Sequence, residues 1–324
     1  MYETMILFEI SPRRNPLCGS MEVYKEKKWV SDEIHLEFVS SQSKNVPFTF
    51  TPHSEFLSWI SEKRYGNMSW LKRGKDLRKD PRNLFRECKT IISLAYPYFY
   101  YQPLTMDRFN MARYTMPKED DYHIRLKALA LILIELLKGY YPDINYRIAV
   151  DSAPLLERSI AYEAGIGFIG KNNMLIIPDF GSYFFLLEIL IDKRLDFKIN
   201  PPLEDGCGSC TNCLDSCPTG ALVNPYMMDS SLCLSYLTVE YSGSLPEGTG
   251  RKMGRCFMGC DRCQEACPYN RDLGGNKEVC LPSTEEFLKM SNRDFKRRFG
   301  KTALSRAGLK KIKRNINEML KYIN

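Results

Sequence analysis

Hydrophobic and polar positions follow two periods along roughly the first 200 residues, helical in some stretches and extended in others, and this part carries the long apolar runs. Tyr122–Lys138 reads as a helix and Tyr146–Val150 as a short strand. Ala153–Ala164 reads as a second helix, with Pro154 in its first turn and Gly165 just past its end. Met174–Pro178 is extended, and Ser182–Ile191 is an apolar segment compatible with strand or helix. Asn200-Pro201-Pro202 marks a boundary into a cysteine-rich stretch, and after Pro282 the pattern is helical and basic. Beyond two cysteine runs there is no internal repeat and no low-complexity tract.

The longest apolar run, Ala128–Leu137, follows Lys127 and is broken by Glu135. It falls short of the roughly 18–20 residues of a membrane span and reads as a buried helix. Without a basic, apolar, small-residue leader at the N-terminus, a cytoplasmic location and no membrane partner are expected. With 44% hydrophobic residues in 324, the chain is a folded globular protein, not a disordered or collagenous one.

Nine of the twelve cysteines fall between Cys207 and Cys267. They read Cys207-x2-Cys210-x2-Cys213-x3-Cys217-Pro218, then Cys233 and Cys256, then Cys260-x2-Cys263-x3-Cys267-Pro268. In a reducing compartment such clustering means metal, not disulfides. The x3-Cys-Pro ending is the two-cluster ferredoxin signature, in which the cysteine before proline ligates the other cluster. Zinc knuckles use separated Cys-x2-Cys pairs and have no need of that ending. Two 4Fe-4S clusters follow. One takes Cys207, Cys210, Cys213 and Cys267; the other takes Cys260, Cys263 and Cys217 plus a fourth ligand. A regular second run would place that ligand at 257, which is Phe257, so spacing leaves Cys233 and Cys256 both open. Cys18, Cys88 and Cys280 lie outside the runs and are expected to pack as small hydrophobes.

Charge is unevenly placed. From Lys289 to Lys321 there are twelve Lys and Arg against Asp294 and Glu318, a net +10 in a chain of net +7. That suits a polyanion partner, with a solvated tail, or a helix packed by Leu304, Leu309 and Ile312, as the plainer alternatives. Gly165-x-Gly167-x-x-Gly170 matches a dinucleotide fingerprint, but it follows a helix and runs into an extended segment, so a glycine-terminated helix explains it better.

Several segments together resemble the epoxyqueuosine reductase family. They are Tyr96-Pro97-Tyr98, Arg113-Tyr114, Asp121-Tyr122-His123, Asp151-Ser152-Ala153-Pro154 with Glu157-Arg158, and the Gly165–Lys171 segment. Gly181-Ser182 with Phe184-Phe185 and Glu188, and Ser235–Thr238 with Glu240, belong to the same set. The similarity runs from about Phe56 to Asn315. It implies an oxidoreductase that reduces epoxyqueuosine to queuosine at the wobble position of tRNA, the last step of queuosine biosynthesis. It also implies base-off cobalamin reduced through two 4Fe-4S clusters and an external low-potential electron donor, with a monomer expected. The implied fold is α/β (α+β): a nitroreductase-like corrinoid-binding domain over 1–200 (1–46 divergent), a ferredoxin-like double 4Fe-4S domain over 201–275, and a basic helical segment over 276–324.

Resemblance also assigns residues. Cys233 is favoured as the fourth ligand of the second cluster. Leu175 and Leu186, with Lys171 and Arg73, are expected at the corrin, and Ser242, Phe257, Met258 and Gly259 approach it from the cluster side. Val239 and Glu240 are expected near tRNA. Breaking an epoxide C–O bond needs a strong reductant at carbon and a proton for the departing oxygen. Asp151 stands at the family's proton-donor position; a helix N-cap carboxylate is the alternative there. Such an acid has to keep its proton near neutral pH, which burial against the corrin would promote.

Two departures stand out. Met1–Val46 aligns with nothing at the family's usual start, and the helical-repeat extension that grips tRNA in longer relatives is missing, so the basic segment should do more of that work. A reductive dehalogenase-like enzyme shares corrinoid and double-cluster domains, but the twin-arginine signal usual there is absent. A plain iron–sulfur electron-transfer protein would leave Asp151 and the α/β domain without a task.

Overall fold

The computed structural model describes residues 51–98, 101–195, 201–271, 273 and 277–323, with the strand backbones of 7–8, 23–24 and 35–40. Cys18, Asn200 and most of Met1–Val46 lie outside the described residues. A short antiparallel pair, β1 (Leu7–Phe8) and β2 (Val23–Tyr24), precedes β3 (His35–Ser40). Helices α1 (Thr51–Ser61) and α2 (Ser69–Arg73) lead to β4 (Thr90–Pro97) and β5 (Tyr101–Thr105). Then come α3 (Tyr122–Lys138), β6 (Tyr146–Ala149), α4 (Glu157–Glu163), the β7–β8 pair (Phe168–Ile169, Leu175–Ile176) and β9 (Phe184–Ile191).

The central sheet is antiparallel, in the order β3-β4-β9-β6. The apolar 182–191 segment is its middle strand. Phe185, Leu187, Ile189 and Ile191 pack toward α3, while Leu190, with Ile91 and Ala95 of β4, packs toward α4. Both faces are covered, so the polar-apolar alternation that marks a half-buried strand is erased. On the other side, α3 buries Tyr122, Leu126, Leu129, Ala130, Leu133, Ile134 and Leu137, a stripe at helical spacing along the sheet. Each fully buried Leu or Ile there contributes roughly 1.5–3 kcal/mol. Asp121 caps α3, its carboxylate accepting from the His123 amide at 2.9 Å.

Helix α4 begins four residues later than the sequence pattern predicts. Asp151 sits at φ 52°, and the turns Ser152 N–H to Val150 O and Leu155 N–H to Ala153 O occupy the backbone that would have started the helix. Leu156 is the N-cap, so Asp151 caps nothing. At the far end Gly165 takes φ 76°; its N–H bonds Tyr162 O and the Ile166 N–H bonds Ala161 O, a helix-ending glycine motif and not a phosphate loop.

The cysteine-rich module holds α5 (Asn212–Asp215), the hairpin β10 (Leu222–Asn224) and β11 (Met227–Met228), a π-helical turn at Tyr236–Glu240, α6 (Thr249–Met253) and α7 (Arg262–Glu265). Strand β12 (Lys277–Leu281) then pairs in parallel with β5, Lys277 against Tyr101 and Leu281 against Thr105. Helices α8 (Thr284–Lys289), α9 (Asn292–Phe299) and α10 (Leu304–Leu320) close a core with the cysteine module. Phe109, Leu237, Phe257, Phe287, Leu304, Leu309 and Ile312 all belong to that core. The basic segment is therefore packed by the apolar face named above, not a solvated tail. Among the described residues no helix is long and apolar enough to cross a membrane. Cys88 is half-buried, whereas Cys280 is exposed on β12, against expectation.

Candidate active site and cysteine centres

Asp151 follows β6 in a left-handed backbone conformation, and its carboxylate is more than half exposed, at 53%. Its Oδ2 accepts a 2.5 Å hydrogen bond from the Tyr122 hydroxyl and a 3.3 Å one from Arg306 Nη1, and lies 3.6 Å from His123 Nε2. The burial expected of this acid is not supplied by the chain itself. Arg306 also donates from Nε to Asp121 Oδ2 at 3.1 Å and from Nη1 to the Tyr122 hydroxyl at 3.1 Å. His123 Nδ1 lies 2.8 Å from Asp121 Oδ1 and Nε2 lies 2.7 Å from Arg306 Nη2. The neutral tautomer carrying its proton on Nδ1 satisfies both contacts. Burial raises Asp121, but hydrogen bonds from His123 and the Arg306 charge outweigh it and bring the carboxyl down to about 2. Burial and the Asp151 charge push the Tyr122 phenol far up, so it stays a donor.

Behind Asp151 lies an acid pair. The Asp151 amide donates to Glu157 Oε1 at 2.6 Å, and Ser93 Oγ donates to Glu188 Oε1 at 3.2 Å. Burial, then the Asp151 charge, push Glu157 up to about 8; burial and Glu157 push Glu188 up. Glu157 is half-buried and Glu188 fully buried, so ionising both at once is disfavoured.

Cys207, Cys210, Cys213 and Cys267, drawn from both runs, line a cavity of about 270 Å³. Lys171 closes one side. Its amide donates to Cys207 Sγ at 3.4 Å, and Nζ donates to Gly208 O at 2.5 Å and Cys210 O at 3.0 Å. At the second centre, burial raises the Cys263 thiol, and the charges of Cys260, Cys233 and Cys217 add to it. Cys260 is pushed up to about 11 by burial with Cys233 contributing. Cys260, Cys233 and Cys217 thus act on Cys263, and the Cys260 charge also reaches Cys256. Cys256 turns away, its Sγ donating to Gly259 O at 3.5 Å and Met258 O at 3.6 Å.

The residues expected at a corrin are spread over several settings. Leu175, Phe257 and Met258 are core side chains, and Leu186 is half-buried. The Gly259 amide donates to Thr238 Oγ1 at 3.0 Å. Ser242 and Arg73 are exposed. Val239 is buried with its carbonyl accepting from Lys311 Nζ at 2.5 Å, while Glu240 is exposed. Lys311 and Arg314 are not free for a polyanion. Arg314 donates to Tyr241 O at 2.8 Å, Gly243 O at 2.7 Å and Leu237 O at 2.7 Å. Charge counting hid this, as it hid Arg306, because a sum of charges does not say which guanidinium is already spent. The Tyr122 and Glu157–Glu188 contacts were signalled only by the motifs that contain those residues.

Residues 78–152 match the family described as epoxyqueuosine reductase QueG, DUF1730, and residues 206–270 match the 4Fe-4S double cluster binding domain. An epoxyqueuosine reductase of Cyclobacterium marinum is 36% identical over 302 residues, covering 88% of this chain and 96% of its own length. The crystal structure of an epoxyqueuosine reductase with an epoxyqueuosine-modified tRNA-Tyr stem loop superposes with a TM-score of 0.73 at 31% identity, over 88% of this chain and 76% of that one. The Bacillus subtilis enzyme, solved with its catalytic aspartate loop swung out of the active site, gives a TM-score of 0.70 at 32% identity, over 88% and 77%.

Proposed function

This chain belongs to the epoxyqueuosine reductase family, and on that premise we propose how its residues divide the reduction of epoxyqueuosine to queuosine in tRNA. The net reaction takes an epoxide, two electrons and two protons to an alkene and water. One proton must reach the departing oxygen as the C–O bond breaks. Asp151 is the donor, and its loop position carries this reading: the backbone at φ 52° presents the carboxyl outward while Tyr122 and Arg306 hold it by one oxygen, Oδ2. The other oxygen is free to face substrate. The Bacillus subtilis enzyme was solved with its catalytic aspartate loop swung out, and we take residues 151–156 as the matching loop.

Residues 206–270 would hold two 4Fe-4S clusters, which when bound would supply electrons one at a time from an external low-potential donor. Cys207, Cys210, Cys213 and Cys267 hold one around the 270 Å³ cavity. Cys217, Cys233, Cys260 and Cys263 hold the other, because Cys256 is bonded back to its own loop. Among the described residues no three His, Cys, Asp or Glu side chains converge tightly enough for a single ion. Thiols ringing a cluster-sized cavity agree with that.

Base-off cobalamin would be held by side chains that the fold leaves accessible, and His123, committed to Asp121 and Arg306, is not among them. When bound, that cofactor supplies the strong reductant at carbon. Arg73 and Ser242, both exposed, and half-buried Leu186 would hold it, whereas Leu175, Phe257 and Met258 are core residues and the Gly259 amide is committed to Thr238. Lys171 instead steadies the loop of the first cluster. The tRNA backbone is met by Arg293, Lys296, Arg297, Arg298 and Lys310, all exposed, and Glu240 is the exposed partner of Val239 near the nucleoside. The protein acts as a cytoplasmic monomer.

Anaerobic reconstitution followed by nucleoside mass spectrometry of epoxyqueuosine tRNA tests this reading. Queuosine should form, with about eight irons and one corrin bound per chain. A fully loaded protein that leaves epoxyqueuosine intact would overturn it.

A further inference from the structure

We propose that Arg306 is a positioning residue for the proton donor, so that the C-terminal segment is part of the active site as well as a surface for tRNA. The inference rests on the reading of Asp151 as the acid. Arg306 spans two carboxylates, Asp121 at 3.1 Å and Asp151 at 3.3 Å, and its guanidinium carbon lies 5.1 Å from the centroid of the Tyr122 ring. With Nε, Nη1 and Nη2 all directed at protein acceptors, little of its five-donor fork remains for a phosphate. Arg306 is itself exposed, at 38% of its side chain, but its donors are spent on protein acceptors.

The backbone delivers it deliberately. Leu304 and Ala307 are buried on one side of the residue, and Leu309 and Ile312 anchor the chain after it. Between them α10 breaks at Gly308, where φ 76° and ψ 151° turn the first helical stretch away from the second. Only glycine takes that conformation cheaply. The Asp121 amide also donates to Lys301 O at 2.7 Å, so 301–306 docks on the start of α3 at two points. Asp151 is thereby held from α3 by Tyr122 and from the C-terminal segment by Arg306, while Glu157 of α4 accepts its amide.

The test uses the cobalamin- and cluster-loaded full chain with epoxyqueuosine tRNA. Arg306→Gln should lower kcat roughly 10- to 100-fold while KM for tRNA changes less than about twofold. Arg306→Lys should restore part of the loss, since a point charge reaches one carboxylate but cannot bridge both. In an Asp151→Asn background the Arg306→Gln loss should nearly vanish, because the two residues act as a unit. Amide exchange across 151–156 should accelerate in Arg306→Gln with Tm and iron content unchanged. Three results would overturn the proposal: a wild-type kcat in Arg306→Gln, a rise in KM alone, or an equal loss with and without Asp151. Should Arg306→Gln fail to fold, an Arg306→Lys protein with full kcat would overturn it equally. Full activity in Asp151→Asn would instead refute the acid assignment itself.

Discussion

Asn315 offers the sharpest quantitative check on how the basic segment is built in. It is fully buried, and its Nδ2 donates to Thr238 O at 2.8 Å and to Phe257 O at 2.9 Å. Its Oδ1 accepts from Arg314 at 2.8 Å. Asn315→Ala would strand two buried carbonyls in one step. A stranded buried polar group costs about 1–3 kcal/mol, and relaxation recovers some of that. The expected loss is about 2–5 kcal/mol, a large part of the roughly 5–15 kcal/mol that holds a domain folded. Asn317→Ala, exposed on the same helix, is the control and should stay within about 0.5 kcal/mol. Urea unfolding of the iron-loaded protein under anaerobic conditions measures both. Because the Phe257 carbonyl lies just ahead of Cys260, iron should also dissociate at lower urea in Asn315→Ala. A loss below about 1 kcal/mol would refute the claim that α10 is locked to the cysteine module by this side chain.

Asp151→Asn should bind cobalamin and both clusters normally yet lose most turnover, checked by metal analysis and nucleoside assay together. Cys233→Ser should fall from about eight irons toward four, whereas Cys256→Ser should keep all eight; loss confined to the Cys256 variant would reverse the ligand assignment. Replacing Lys296, Arg297 and Lys310 with Ala should raise KM for tRNA and flatten its salt dependence, leaving kcat nearly intact. Lys311 and Arg314 are left out because they hold the 237–243 backbone, and removing them would confuse stability with binding.

What could be read from the sequence was what local spacing encodes. The Cys-x2-Cys-x2-Cys-x3-Cys-Pro run states its own chemistry, and the apolar stripe of Tyr122–Lys138 states its own helix. Period failed where tertiary structure covers both faces of an element, as in Phe184–Ile191. It failed again at Ala153, where helix-compatible residues are spent on turns that aim Asp151. The Asp151–Arg306 contact was beyond reach for a plainer reason: 155 residues separate the partners, and neither carries a mark of the other. The choice of Cys233 over Cys256 as ligand comes only through resemblance, because spacing leaves the two equal.

The pairing of β12 with β5 and the reach of Arg306 impose an order on assembly. Asp151 and every cysteine of the two runs precede residue 270, yet the strand that ties them to β5 and the helices that seal their core come afterwards. During synthesis there is an interval in which the thiols are present but the hydrophobic cover is not. Cluster insertion has its widest access in that interval, before α8–α10 close over Phe257 and Leu237. A nascent chain halted there would hold both cysteine runs and Asp151, but not Arg306. Contacts this distant in sequence form late and slowly. The cysteine runs are thus complete before Arg306 reaches Asp151.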